Sequence, residues 1–161
     1  MDIEKVQLPN PDILASARAF YSASKALHNS SFTNSSIPII VNSAFALELY
    51  LKSFNSKILF KDGKKSISGK IIYDTIINKV NNTGHVLSKL FNNIKPEIST
   101  LIENEYNKNN ESFSDSIKEF DNVFIEWRYV FEGNGKAVNV TKIFRLLDTL
   151  ENAAIKLESN C

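Results

Sequence analysis

The apolar run Ile40, Ala44, Leu47, Leu51 and Phe54 constrains this chain most. Its spacing of three or four residues fits one face of an α-helix and does not fit a strand. Val41 and Phe45 widen the stripe, and Ser36 with Pro38 marks where the helix begins. A face that broad has to be covered by other elements, and the rest of the chain supplies helices of the same kind.

Asn10-Pro11-Asp12 reads as a helix start, with Asn10 at the N-cap and Pro11 in the first turn. Leu14, Ala17, Phe20, Tyr21 and Leu27 follow, and Asn29–Ser31 ends the helix. Thr83 is expected to cap a short helix holding His85, Leu87, Leu90 and Phe91. Pro96 opens another, with Ile98, Leu101, Ile102 and Tyr106 inward and Glu97 near its positive end. Ser114 or Ser112 starts a long helix through Ile117, Phe120, Phe124, Trp127 and Phe131, stopped at Gly133-Asn134-Gly135. Val140–Glu158 forms the last amphipathic helix, through Ile143, Leu146, Leu147, Leu150, Ala154 and Leu157.

Between the second and third core helices lies a lysine-rich excursion, Lys57–Asn82. Ile58-Leu59-Phe60 and Lys61-Asp62-Gly63-Lys64 look like a short extended segment and a turn, and Asp62-Gly63 suits a small hairpin. Ile71, Ile72, Ile76, Ile77 and Val80 fit either a helix or a strand, and a helical turn or two is the expectation there. The predicted fold is all-α: a single bundle of five to six helices over residues 1–161.

Composition narrows the function classes. A formal charge of +1 argues against a dominant polybasic surface. One cysteine, Cys161, allows no intramolecular disulfide, and two histidines far from it offer no zinc-ligand spacing. No metal or cofactor is expected. Met1–Leu8 lacks both a basic leader and an apolar h-region, and no run reaches the roughly 18 apolar residues of a membrane span. A cytoplasmic protein without a membrane contact is expected.

Three segments carry a family resemblance: Phe45–Phe54 (FALELYLKSF), Gly84–Phe91 (GHVLSKLF) and Phe124–Glu132 (FIEWRYVFE). In this order they resemble the HEPN superfamily of small bacterial helical bundles. That superfamily includes ribonuclease toxins, nucleotidyltransferase-associated partners and catalytically silent relatives. Its nucleases carry an Arg-x4-6-His motif. Here Arg128 is followed by Tyr129, Val130, Phe131, Glu132, Gly133, Asn134 and Gly135, without the His. The resemblance therefore implies the architecture and not the activity, and it also implies that a homodimer is plausible for a relative of this kind.

Candidate residues follow from charge and spacing. Glu48 and Lys52 form an i,i+4 pair on the second helix, read as a surface pair, as Glu48 meeting Arg128 in a polar core, or as part of a ligand site. Arg128 is read as a structural bridge first and a phosphate-binding group second. His85 is read as a capping or core histidine, and as a catalytic partner of Arg128 only if the chain cleaves RNA. His28 is expected to face solvent. The acids Glu111, Asp115, Glu119, Asp121 and Glu126 make a helical acidic face suited to blocking a cationic nuclease. Lys61, Lys64, Lys65 and Lys70 make a basic excursion suited to RNA phosphates.

Three functions stand in order. First is a non-catalytic antitoxin or immunity protein of a bacterial defence system, neutralising a cognate toxin or nuclease. Second is an RNA- or nucleotide-binding protein. Third is a metal-independent endoribonuclease using Arg128 and His85.

Overall fold

A computed structural model describes residues 2–31, 35–81, 84–107, 110–128 and 137–160, and the side chain of Arg128 falls outside the description. Helix α1 (Pro11–His28) and helix α2 (Ser36–Ser53) pack side by side as the largest helix pair. Asn10 caps α1, its Oδ1 accepting from the backbone N–H of Asp12 and Ile13 at 3.1 and 3.2 Å. Helices α3 (Leu87–Asn92), α4 (Pro96–Tyr106), α5 (Phe113–Lys118), α6 (Val123–Arg128) and α7 (Val140–Ser159) complete the bundle. Helix α2 contacts α1, α3, α6 and α7, so the face expected from sequence is enclosed: Ile40, Ala44, Leu47, Leu51 and Phe54 are all buried.

The all-α expectation is overturned. Among the described residues 59% are helical and 13% lie in strands, which makes the fold mixed α/β. The excursion is a β-arm. Strand β1 (Ile3–Lys5) pairs antiparallel with β2 (Ser56–Lys61), and β2 pairs antiparallel with β5 (Thr75–Val80). Beyond this sheet the ribbon continues as β3 (Lys64–Lys65) against β4 (Ile71–Ile72). The helical turns expected after Gly69 are therefore strand. β-Branched residues pack well on a pleated ribbon once a partner strand is present, and β2 supplies that partner. Nor does the chain reverse at Asp62-Gly63. Asp62 takes a φ of 56° at the break between β2 and β3, and the reversal falls at Ser66–Lys70.

Two further expectations change. His85 precedes α3 rather than lying within it. The long helix starting near Ser112 is split into α5 and α6 by tight turns, with Phe120 N–H to Ile117 O at 3.0 Å and Val123 N–H to Phe120 O at 3.1 Å. Ile117, Phe120 and Val123 stay buried across the split. The Thr83 cap, Phe131 and the Gly133-Asn134-Gly135 stop lie outside the described residues.

Polar groups cross-link the three longest helices. The Glu151 carboxylate on α7 receives Arg18 Nε of α1 at 3.0 Å and the Tyr50 hydroxyl of α2 at 2.6 Å. Arg18 also reaches Glu158 at 2.8 Å, and Tyr21 donates to Asp148. Burial first, and then the hydrogen bond to a carboxylate, push the Tyr21 and Tyr50 phenols well above their ordinary 10.0. In the unfolded chain both would ionise near that ordinary value, so the stabilisation they bring is complete below about pH 10 and lost as pH rises above it. Ionisation of these two phenols, followed by absorbance at 295 nm, is expected to coincide with loss of helix by circular dichroism. Full phenol ionisation with helicity intact would contradict the buried arrangement. In the core, Leu47→Ala is expected to lower unfolding free energy by about 2–5 kcal/mol in urea titration.

Candidate functional site

The arm is mounted on the bundle by an asparagine ladder. Asn10, wholly buried, donates from Nδ2 to Asn78 Oδ1 at 2.9 Å, while Asn78 Nδ2 reaches Asp12 at 2.9 Å. The Asn10 backbone N–H binds Ser53 O at 2.8 Å, and Asn81 pairs with Asn55 through backbone and side chain. The N-terminus of α1, the C-terminus of α2 and both long strands thus meet at one hydrogen-bonded joint.

Register separates the faces of the sheet, because residues paired directly across antiparallel strands point the same way. Ser56 with Val80, and Ile58 with Asn78 and Lys5, form the inner face, where Ser56 and Ile58 are buried. The outer face carries Lys57 opposite Lys79 and Lys61 opposite Thr75, with Leu59 and Ile77 between them. Glu4, the acid on that face, is bound to Lys57 at 2.8 Å. Further out, Lys64 bonds Asp74 at 2.6 Å, which raises the Lys64 pKa through that hydrogen bond. Among the described residues Lys61, Lys65, Lys70 and Lys79 have no acidic partner. Exposed isoleucines accompany them: Ile67, Ile71, Ile72, Ile76 and Ile77. Sequence reading located the lysines and named Ile71, Ile72, Ile76 and Ile77 without placing them on an exposed surface, because no strict alternation marks the segment as strand.

The acids named from sequence are mostly engaged within the protein. Glu111 pairs with Arg145, whose guanidinium also lies over the Tyr106 ring, and this holds the Glu111 carboxyl below its ordinary range. Asp115 binds Lys118 at 3.0 Å and Glu119 binds Lys142 at 2.5 Å. Asp121 caps α3, accepting from Ser88 N–H at 2.6 Å and Ser88 Oγ at 2.7 Å. Glu126 lies half-buried on α6. Glu119, Asp121 and Glu126 do line one cleft of about 280 Å³ between the α5–α6 turn and residues 137–139. Glu103, not singled out from sequence, caps α5 through Phe113 N–H at 2.8 Å and Ser114 N–H at 2.9 Å.

Glu48 is not a surface acid. It is 4% exposed, and its Oε1 takes both Lys52 Nζ at 2.5 Å and His85 Nδ1 at 3.0 Å. Its Oε2 is buried without a hydrogen-bond partner among the described residues, as is Trp127 Nε1 on α6. Helix α6 packs on α2, and Arg128 is its last residue. The Glu48–Arg128 bridge and any contact between Arg128 and His85 lie outside the described side chains. His85 itself is more than half exposed, oriented by a buried carboxylate. His28 is exposed as expected, with its ring edge on Phe144.

Among the described residues no cluster of three or more His, Cys, Asp or Glu is placed to hold a metal ion. None of the described helices is long and apolar enough to cross a membrane. Comparison with protein-family models, with characterised proteins and with solved structures gives no match for this chain.

Among the described residues Lys52 and His85 are the partners of the buried Glu48 carboxylate, with Lys52 the permanent cation, so removing the lysine should cost more than removing the acid's charge. Lys52→Met is expected to destabilise the protein by about 3 kcal/mol, and Glu48→Gln by less. Urea unfolding of the two variants checks the order, and the reverse order would mean that the lysine is not what holds Glu48.

Proposed function

We propose that this is a non-catalytic, cytoplasmic, HEPN-like protein that binds RNA through its β-arm. The observation carrying this reading is the contrast in free charge. Glu111, Asp115 and Glu119 on the helices are matched by internal cations and Asp121 by a helix N-terminus, whereas Lys61, Lys65, Lys70 and Lys79 on the ribbon make no ion pair among the described residues. A net charge near zero for the whole chain conceals this separation. Local concentration of unpaired lysines is what attracts a phosphate backbone and releases its counterions.

A second reading rests on the cleft lined by Glu119, Asp121 and Glu126, which suits a basic side chain of a protein partner. We propose it as the alternative: an antitoxin or immunity protein of a bacterial defence system, with this cleft as the contact. Salt-sensitive binding of one protein from the host lysate, surviving RNase and weakened by charge reversal at Glu119 and Glu126, is its expected signature.

Lys65→Gln combined with Lys70→Gln tests the first reading by anisotropy titration of a labelled RNA hairpin between 50 and 200 mM salt. Loss of two phosphate contacts is expected to flatten the slope of log affinity against log salt by roughly 1.4–1.8. An unchanged slope would remove the arm from the RNA-binding surface.

A further inference from the structure

We propose that Ile67, at the tip of the arm, is a wedge that opens a base step in the duplex region of an RNA. This rests on the RNA-binding function proposed above and assigns the substrate class to its outermost residue.

The tip is a defined turn. Gly69 N–H binds Ser66 O at 2.9 Å, Ser66 N–H binds Lys70 O at 2.7 Å, and the Ser66 and Ser68 hydroxyls meet at 2.8 Å. Gly69 adopts a φ of +78°, a conformation that favours glycine. This closure presents Ile67 at the apex with a relative exposure of 111%, more open than any other large apolar residue described. An isoleucine held there forgoes the burial such a side chain normally obtains, so folding of the bundle does not account for it. The turn lies six residues beyond Lys61, past the short β3–β4 ribbon.

Charge decides against a second copy of this chain as the occupant. Residues Lys64–Lys70 read KKSISGK, with three lysines and no acid, so two tips would repel each other. Register decides between a membrane and a nucleic acid groove. Lys65 shares one face of the ribbon with Ile71, and Lys64, bound to Asp74, shares the other with Ile72. Lysines on both faces, one of them partly neutralised, suit a ribbon flanked by two phosphate backbones, whereas a lipid surface would meet a single face. One apolar residue is also a weak membrane anchor, since stable attachment takes more than one such signal.

The type of apolar residue points to paired bases. Sites for single strands stack bases on aromatic rings. Here Phe60 and Tyr73, the aromatics of the arm, pack on each other in a tilted pair with ring centroids 5.3 Å apart. The tip offers an aliphatic side chain instead. Such a side chain stacks poorly but can push adjacent base pairs apart, as apolar wedges do where proteins enter the minor groove of DNA.

An RNA hairpin with 2-aminopurine in its stem tests this, using the full chain, Ile67→Ser, and the Lys65→Gln/Lys70→Gln variant. The unsubstituted protein is expected to raise 2-aminopurine fluorescence on binding. Ile67→Ser should abolish that rise while leaving affinity within about threefold and the salt slope unchanged, because the phosphate contacts remain. A fluorescence rise that survives Ile67→Ser overturns the wedge alone. Preference for the unpaired strand of the same sequence would also overturn it. Binding to phosphatidylserine vesicles that depends on Ile67, with none to RNA, would overturn both the wedge and the RNA reading. Intact RNA affinity in the lysine variant would refute the arm as the binding surface.

Discussion

Helix α2 has to be buried on almost every side, and the rest of the molecule is arranged around that requirement. Its apolar positions are covered by α1, α3, α6 and α7, and β2 continues from its C-terminal end. Enclosure on this scale leaves Glu48 and Tyr50 without water, and each must find its partner within the protein. Tyr50 reaches Glu151 of α7, and Glu48 reaches Lys52 and His85. The order of the helices around α2 is therefore also an order of polar contacts. The unpartnered Glu48 Oε2 and Trp127 Nε1 show where this satisfaction is incomplete among the described residues.

The same burial gives the arm a rigid base. Ser53, at the end of α2, accepts from the N–H of Asn10, and Asn10 both caps α1 and binds Asn78 of β5. One buried side chain thus ties the first helix, the second helix and the projecting ribbon together. A charged ribbon on a fixed joint loses less conformational freedom on binding than a free lysine-rich loop would. On the helical side, by contrast, the carboxylates serve the fold: Asp121 and Glu103 satisfy helix N-termini, and Glu111 and Glu119 hold α7 cations. Acidic residues counted along the sequence overstate the acidity presented to a partner.

Helix starts were legible where a short polar side chain caps its own turn. Asn10 and Ser112 each accept backbone N–H groups two or three residues on, an interaction local enough to read from a few letters. The caps supplied from a distance were not legible. Asp121 lies 33 residues from Ser88, and no local pattern pairs them. The arm failed to read as strand for a related reason. Thr75–Val80 is exposed or half-exposed along its length, so no buried face imposes a two-residue alternation on it. Its strand state comes from β2, a segment well before it in the chain.

By itself the sequence determined the helical core: the period of residues 40–54, the cap of the first long helix, and the lysines gathered between 57 and 79 all follow from local spacing. Tertiary structure decided which charges stay free. Pairing Glu119 with Lys142 or Glu111 with Arg145 requires α7 to lie beside α5, and leaving Lys65 and Lys70 unpaired requires the ribbon to project away from every acid on the helices. Apolar period is a property of neighbours along the chain, whereas electrostatic compensation acts over a few ångströms in space. Only the folded arrangement sets those distances.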